Sequence, residues 1–236
     1  QLSRADIRFT YSGVRPLPYV GDKKPGSITR SHILFDHSPE GARNLISLIG
    51  GKLTTYRQVG EEMVDLVYRK LNRPAPPCPT RKRTLPGAIA ANSHTIETMI
   101  RRYTPTVDRT TIQHLFRMYG AKAPEVLALV DDAPDLGDRL VPYLPDIKAQ
   151  AVYAVRSELA YNLKDICRRR TTLAMLANYG YDALPTLVAT LKTHCGWDDA
   201  EGDRQVADYK TFIEQNCLPD YRIEAQAQAS KTEVYS

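Results

Sequence analysis

The stretch from Gly50 to Thr54 combines residue types that can hold an anion at the start of a helix. Gly50 and Gly51 keep backbone N–H groups clear of side chains, and N–H groups at a helix N-terminus bind anions or a developing negative charge. Lys52 is the wrong charge for this position, because the N-terminus already carries partial positive charge. A bound anion would explain the lysine. The alternative is an ordinary strand-to-helix turn in which glycine only permits a tight geometry.

A strand and a helix must position this turn. The apolar run "LISLIGG" at 45–51 predicts a short strand buried on both faces, and "SITRSHILFDH" at 27–37 predicts a second strand that carries Arg30. Apolar residues then recur at helical spacing from Tyr56 to Leu71. Thr55 has capping-box spacing to a glutamine three residues later, so we expect its side chain to cap this helix.

The whole chain is predicted to divide into four parts. Residues 1–73 are the end of an α/β domain, and residues 74–84 are a linker, because closely spaced prolines disfavour a packed element. Residues 85–220 form an all-helical domain, and residues 221–236 are a polar tail that frays. The predicted fold class is therefore α+β: a small α/β remnant followed by an all-helical C-terminal domain.

Periodicity places the helices of the second domain. Apolar residues three or four apart predict helices at 93–103, 108–119 and 124–130, followed by one longer helix over 146–170. Two further helices are predicted beyond it, and no strand pattern intervenes.

Composition narrows the class of protein. The chain has 236 residues, of which 42% are hydrophobic and 25% charged, as is typical of a soluble globular protein. It has no uncharged apolar run long enough to span a membrane and no signal peptide. Its four cysteines form no C-x-x-C pair, so we predict no metal site. The chain does not begin with methionine, and we expect it to be part of a longer protein.

Five segments in order carry a family resemblance. The chain resembles the C-terminal part of FAD-dependent glycerol-3-phosphate dehydrogenases of the respiratory, aerobic type, over roughly residues 7–220. The pairing of the first and third segments is specific to this family within the wider class of FAD-linked oxidases. The segments are "YSGVRPL" (11–17), "SITRSHILFDH" (27–37), "LISLIGGKLTTYR" (45–57), "LPGA" (85–88) and "VRSELAYNLKDICRRRT" (155–171).

The resemblance implies a reaction, a cofactor and partners. Such enzymes oxidise glycerol 3-phosphate to dihydroxyacetone phosphate with FAD and pass the electrons to quinone, which implies a cytoplasmic protein held peripherally at the inner face of the cell membrane. No G-x-G-x-x-G fingerprint occurs in this chain. We therefore expect the N-terminal FAD domain to be a missing partner, and this chain alone to bind FAD weakly or not at all and to be inactive.

The resemblance also assigns the arginines. Arg15 and Arg30 match positions that hold the substrate phosphate, a dianion that guanidinium groups bind bidentately. Pro16 restricts Arg15 to an extended backbone. The alternative for each is a solvated arginine at a strand end.

The same resemblance implies that the glycine turn is the cofactor site. The amides after Gly50 and Gly51, continuing through Leu53 and Thr54, would meet the negative charge that the reduced flavin carries at N1 and O2. Lys52 would add a positive charge at that edge or at the substrate oxygen. Arg15, Arg30 and Lys52 are the predicted catalytic residues. His32 and His37 are expected to be structural, with the catalytic base in the missing half.

A second function class remains open. Basic runs at 81–83 and 168–170 contribute to a net charge of +5, and they indicate solvated faces or attraction to anionic lipid. No nucleic-acid-binding pattern accompanies them. The alternative function is a helical interaction or membrane-docking module without catalytic activity of its own, and homo-oligomer formation is possible.

Overall fold

The computed structural model of this protein is mostly helical, with one small antiparallel sheet, as the predicted fold class requires. It describes residues 27–85, 87, 88 and 93–219, together with residues 3, 6, 7, 9–11, 13, 17–19 and 21.

Two strands and seven α-helices occur in this described part. They are β1 (His32–Asp36), β2 (Ile46–Gly50), α1 (Tyr56–Lys70), α2 (Ser93–Tyr103), α3 (Arg109–Tyr119), α4 (Ala123–Asp132), α5 (Lys148–Ser157), α6 (Leu184–Cys195) and α7 (Asp199–Asn216).

The chain separates into two compact units. The first, here called the small unit, is Ser12–Thr84, and the second, the helical unit, combines Gln1–Tyr11 with Leu85–Ser236. The predicted domain limits at 73, 84 and 220 stay predictions as limits of independently folding domains.

The small unit is a β-hairpin packed beside α1. β1 and β2 are antiparallel, with His32 opposite Gly50 and Leu34 opposite Leu48. The prediction that β2 is buried on both faces is wrong, since Leu48 is half exposed. A two-stranded sheet offers two open edges and too little area to bury either face completely. Among the described residues of this unit, Pro18 alone is buried.

The start of α1 differs from the capping prediction. A 3-10 turn at Leu53–Thr55 leads into the helix, and Thr55 has φ −98° and ψ 9° rather than the extended backbone of an N-cap. Its hydroxyl donates to the Lys52 carbonyl at 2.9 Å. The capping-box prediction is therefore wrong, because the preceding turn already fixes the Thr55 side chain.

Ion pairs tie α1 to its neighbours. Lys70 Nζ lies 2.7 Å from each carboxylate oxygen of Asp36 in β1, and this contact, with Ser38, lowers the pKa of Asp36 to about 2. On the other side of the helix, Arg81 Nη2 lies 3.1 Å from Glu61 Oε1. The chain that follows α1 is thus bonded back to it.

The helical unit contains two apolar cores. One gathers α6, the end of α7 and the chain around residues 160–184, and the other gathers α2, α3 and α4, with α5 contributing to both. The three helices predicted at 93–103, 108–119 and 124–130 are confirmed within two residues at each end. Residues 93–219 contain one isolated β-bridge, between Arg139 and Ile147, and no strand.

The single long helix predicted over 146–170 is wrong. α5 ends at Ser157, Leu159 has a left-handed backbone with φ 57°, and a π-helical segment then runs from Asp165 to Arg170. The break is fixed by tertiary bonds, because Arg170 Nη2 donates to the Glu158 carbonyl at 2.6 Å and Asp165 accepts from the Tyr161 amide at 3.0 Å.

The arginines at 168–170 form contacts within the protein, although Arg169 is also exposed, as the solvated-face interpretation expects. Arg168 lies over the rings of Phe9 and Phe212, at 5.8 and 5.5 Å from their centroids. Arg169 pairs with Asp165, one helical turn earlier. Arg170 binds the Glu158 carbonyl as described above.

Residues near the beginning of the chain belong to the helical unit. Phe9 packs against the first core, and both the amide and the hydroxyl of Thr10 donate to the Cys217 carbonyl, at 3.2 and 3.3 Å. This unit is therefore assembled from two separate stretches of sequence.

None of the described helices has both the length and the apolar character needed to cross a bilayer.

Candidate functional site

The glycine pair makes a turn that strongly favours glycine. Gly50 and Gly51 have φ of 69° and 91°, a region that side chains strongly disfavour. A Cβ at Gly50 would approach the Ser31 carbonyl to 3.2 Å, and one at Gly51 would approach His32 Cβ to 3.0 Å. The turn therefore lies tightly against the start of β1.

The turn leaves backbone donors unused. Lys52 has an extended backbone, and the helical turn begins directly after it. Within the described residues, the N–H groups of Lys52, Leu53 and Thr54 have no hydrogen-bond acceptor. All three residues are exposed. N–H groups in this position are free to bind an anion.

Lys52 and Arg30, two cations of the predicted site, are exposed. Neither Lys52 nor Arg30 forms an ion pair or side-chain hydrogen bond with the described residues. Arg30 lies two residues before β1 rather than within it, so its predicted place in the strand is wrong. The strand begins only at His32, where pairing with Gly50 starts. Arg15 lies outside the described residues.

The structure places His32 beside the glycine turn, a contact that the sequence did not predict. Its Nε2 lies 2.6 Å from Glu62 Oε2 in α1, and because an ionised carboxylate only accepts, the imidazole donates. This bond is the main cause that lowers the pKa of Glu62. Thirty residues separate the pair, and only the packing of α1 on the hairpin brings them together. Helical spacing did place Glu62 away from the apolar residues of α1.

An acidic groove of about 880 Å³ lies between β1, α1 and the proline segment 75–78. Asp36, Glu61, Glu62 and Asp65 contribute carboxylates to its lining. Carboxylates repel a phosphate, so an anion is favoured at the glycine turn rather than in this groove. Among the described residues, no three His, Cys, Asp or Glu side chains are grouped as metal ligands.

Comparison with known proteins identifies a matching family and several similar proteins. The family model described as the C-terminal domain of alpha-glycerophosphate oxidase matches residues 78–202. A glycerol-3-phosphate dehydrogenase from Synechocystis sp. is 60% identical over 222 residues, which is 94% of this chain and 40% of that protein. The aerobic glycerol-3-phosphate dehydrogenase of Escherichia coli is 34% identical, over 75% of this chain and 35% of the relative.

The similarity extends to mitochondrial enzymes. The human mitochondrial glycerol-3-phosphate dehydrogenase is 32% identical over 90% of this chain and 29% of that protein. The chain thus spans less than half the length of each of these relatives.

Proposed function

Because this chain belongs to the family of the C-terminal domain of alpha-glycerophosphate oxidase, we propose that it is the C-terminal portion of a flavin-dependent dehydrogenase that oxidises sn-glycerol 3-phosphate to dihydroxyacetone phosphate and delivers the electrons to quinone. The single observation that carries the proposal is the glycine turn, where three N–H groups and the Lys52 ammonium have no partner among the described residues. The names of its relatives support the choice of substrate.

The turn suits an FAD whose isoalloxazine gains charge on reduction. When bound, FAD would supply the acceptor for the hydride from C2 of the substrate. The N–H groups of Lys52, Leu53 and Thr54 would hold the N1 and O2 edge, with Gly50 and Gly51 allowing close approach of the backbone. The Lys52 ammonium supplies the positive charge that favours the reduced form.

The arginines are proposed to hold the substrate phosphate. Arg30 is exposed and without a carboxylate partner in the described part, so its guanidinium is free to take two phosphate oxygens. Arg15 joins it in this role by the family resemblance. With both phosphate charges compensated, the substrate carbon chain is oriented for hydride transfer.

The small unit requires a partner, which we take to be the N-terminal FAD domain. Its described part has almost no buried residue, and it exposes apolar side chains on the hairpin and along α1. Exposed apolar surface of this kind marks an interface. This chain alone is accordingly proposed to be inactive and to bind FAD poorly. The exposed apolar side chains of the hairpin and α1 include Phe35, Leu45, Leu48, Tyr56, Val64 and Leu71.

A docking module without catalytic activity is the second candidate. Exposed basic residues such as Lys82 and Arg83 favour it, because they are available to anionic lipid. The basic run at 168–170 does not favour a docking module, since its side chains form bonds within the protein. Peripheral placement at the inner face of the membrane, and assembly into a homo-oligomer, are compatible with either candidate and remain proposals.

The test uses the full-length protein that contains this chain. We expect bound flavin, and reduction of a quinone analogue that depends on glycerol 3-phosphate. Arg30→Lys and Arg15→Lys keep the charge but lose the planar fork, so kcat/KM should fall by about tenfold or more at normal flavin content.

Arg43→Lys is the matched control, because Arg43 is another exposed arginine of the small unit. It should keep wild-type kcat/KM. Absence of both flavin and turnover in the wild-type protein would leave the docking module as the better account.

A further inference from the structure

His32 joins the glycine turn to α1. On one side the backbone of Gly51 lies against it, so closely that a Cβ at Gly51 would be 3.0 Å from His32 Cβ. On the other side its Nε2 is hydrogen-bonded to Glu62 Oε2 at 2.6 Å. The His32 side chain is only 15% exposed, whereas its partner Glu62 is 41% exposed.

Glu62 is held in turn by its own helix. Gln58, one turn earlier in α1, donates to Glu62 Oε1 at 2.7 Å. The chain of bonds from Gln58 through Glu62 to His32 therefore runs from the first turns of α1 to the strand end beside Gly50. Hydrogen bonds to an ionised carboxylate are stronger than neutral ones.

The other carboxylates near this imidazole are already engaged. Asp36, on the same face of β1, is paired with Lys70, and Glu61 is paired with Arg57 at 2.8 Å. Glu62 is thus the carboxylate that contacts the imidazole directly. The remaining charged groups of the groove, Asp65 and Arg69, line it without a bond to the imidazole.

We propose that His32 and Glu62 are positioning residues of the anion site at Gly50–Thr54, an inference that rests on the proposed function. Neither side chain needs to touch flavin or substrate. Together they fix the strand end and the start of α1 relative to each other, and the N–H groups of Lys52, Leu53 and Thr54 lie on the turn between. Donors fixed in advance stabilise a developing charge better than donors that must reorganise.

The experiment compares two histidines of one hairpin in the full-length protein. His32→Phe keeps a ring beside Gly51 but loses the bond to Glu62. His37→Phe is the matched control, because His37 also pairs with a glutamate, Glu40 at 2.7 Å, but at the opposite end of β1. Hydrogen exchange is measured on peptides covering residues 48–56, and the flavin midpoint potential is measured in the same preparations.

We expect exchange of the hydrogen-bonded amides of this segment, such as that of Thr55, to accelerate by about fivefold in His32→Phe, the effect of one lost hydrogen bond on local opening, and to stay unchanged in His37→Phe. The midpoint potential should fall only in the first variant. Glu62→Ala should behave like His32→Phe, and Glu62→Gln, which keeps an acceptor, should recover part of the loss. These glutamate variants also decide the matter if His32→Phe does not fold.

Equal exchange and equal potential in the His32 and His37 variants would overturn the proposal. So would an effect of Glu62→Gln as large as that of Glu62→Ala, because the bond would then be irrelevant. If the wild-type protein holds no flavin, the proposed function fails by itself. The exchange comparison still reports whether His32 fixes the turn.

Discussion

At the residue scale, the conformation of the turn is imposed by its neighbours as much as by glycine itself. A Cβ at Gly51 would lie 3.0 Å from His32 Cβ, so His32 would have to shift, and the φ of 91° is also unfavourable for other residues. Gly60, in the middle of α1, has open space around it and an ordinary helical backbone. The backbone at position 51 therefore favours glycine, whereas the helix at position 60 can accept a side chain.

Alanine at these two positions should act with opposite sign. Gly51→Ala should lower the free energy of unfolding of the full-length protein by about 1–2 kcal/mol or more, through backbone strain and the clash with His32. Gly60→Ala should raise it by about 0.5–1 kcal/mol, the difference in helix propensity. Urea denaturation measures both, and a stabilising Gly51→Ala would contradict the geometry of the turn.

Lys52 should affect the electron affinity of the flavin rather than folding. Removal of its charge in Lys52→Met destabilises the reduced, anionic flavin, so the midpoint potential of the full-length protein should fall. Because Lys52 is exposed, thermal stability should change by no more than about 0.5 kcal/mol. Lys82→Met, another exposed lysine of the small unit, should leave the potential unchanged. A potential equal to that of the wild type in both variants would remove Lys52 from the site.

At the scale of elements, α3 shows how one residue begins a helix and joins it to another segment. Asp108 accepts the Thr111 amide at 3.0 Å as an N-cap, and its other oxygen accepts from Arg139 at 2.9 Å. Partial burial alone would raise the pKa of Asp108, but the bonds from Arg139 and Thr111 outweigh it and lower the pKa to about 2. The ionised form is therefore the one that the fold prefers.

This preference predicts a pH dependence. A lowered pKa stabilises the folded state at pH values above the ordinary 3.8, and the contribution is lost as pH falls from 3.8 towards 2. Asp108→Asn keeps a capping group but loses the ion pair, so it should be less stable than wild type near pH 7. The difference in melting temperature should shrink in acid, and a difference that grows as pH falls would show the reverse linkage.

Elements that are defined by neighbouring residues can be predicted from the sequence, whereas features that depend on contacts between distant residues cannot. α2 and α3 have clear apolar periodicity, and Asp108 and Gly120 mark the two ends of α3, so the sequence predicts them closely. The break after Ser157 depends on the bond from Arg170 to the Glu158 carbonyl, a contact with no local signal. The glycine turn could be predicted from residue types alone. The bond from His32 to Glu62 could not, because it depends on the packing of a helix on a hairpin.

At the scale of the whole molecule, the two units differ in how far they are stabilised by their own residues. The helical unit has two cores with fully buried side chains, such as Ile112, Leu127 and Leu187. The small unit has a hairpin and a helix whose apolar side chains remain partly exposed. Burial of apolar area is the main source of stability, so the two units should not be equally stable.

Hydrogen exchange on this chain alone should reveal the contrast. Amides in α3, α4 and α6 should be protected by the stability of their cores, whereas those in β1, β2 and α1 should exchange at least tenfold faster, since little burial opposes local opening. In the full-length protein the small unit should gain protection if the FAD domain covers it. Equal protection of both units in this chain alone would contradict the need for a partner.

The bonds from Thr10 to Cys217 join residues 207 positions apart, which gives the helical unit an order of assembly. A ribosome releases Phe9 and Thr10 long before α7, so their contacts can form only after α7 has been synthesised. The small unit emerges during that interval, with its apolar side chains exposed. Contacts of such separation also slow folding, because a long loop must close before they form. Within this part of the protein, a chaperone that binds nascent chains would therefore meet the hairpin and α1 before the helical unit is completed.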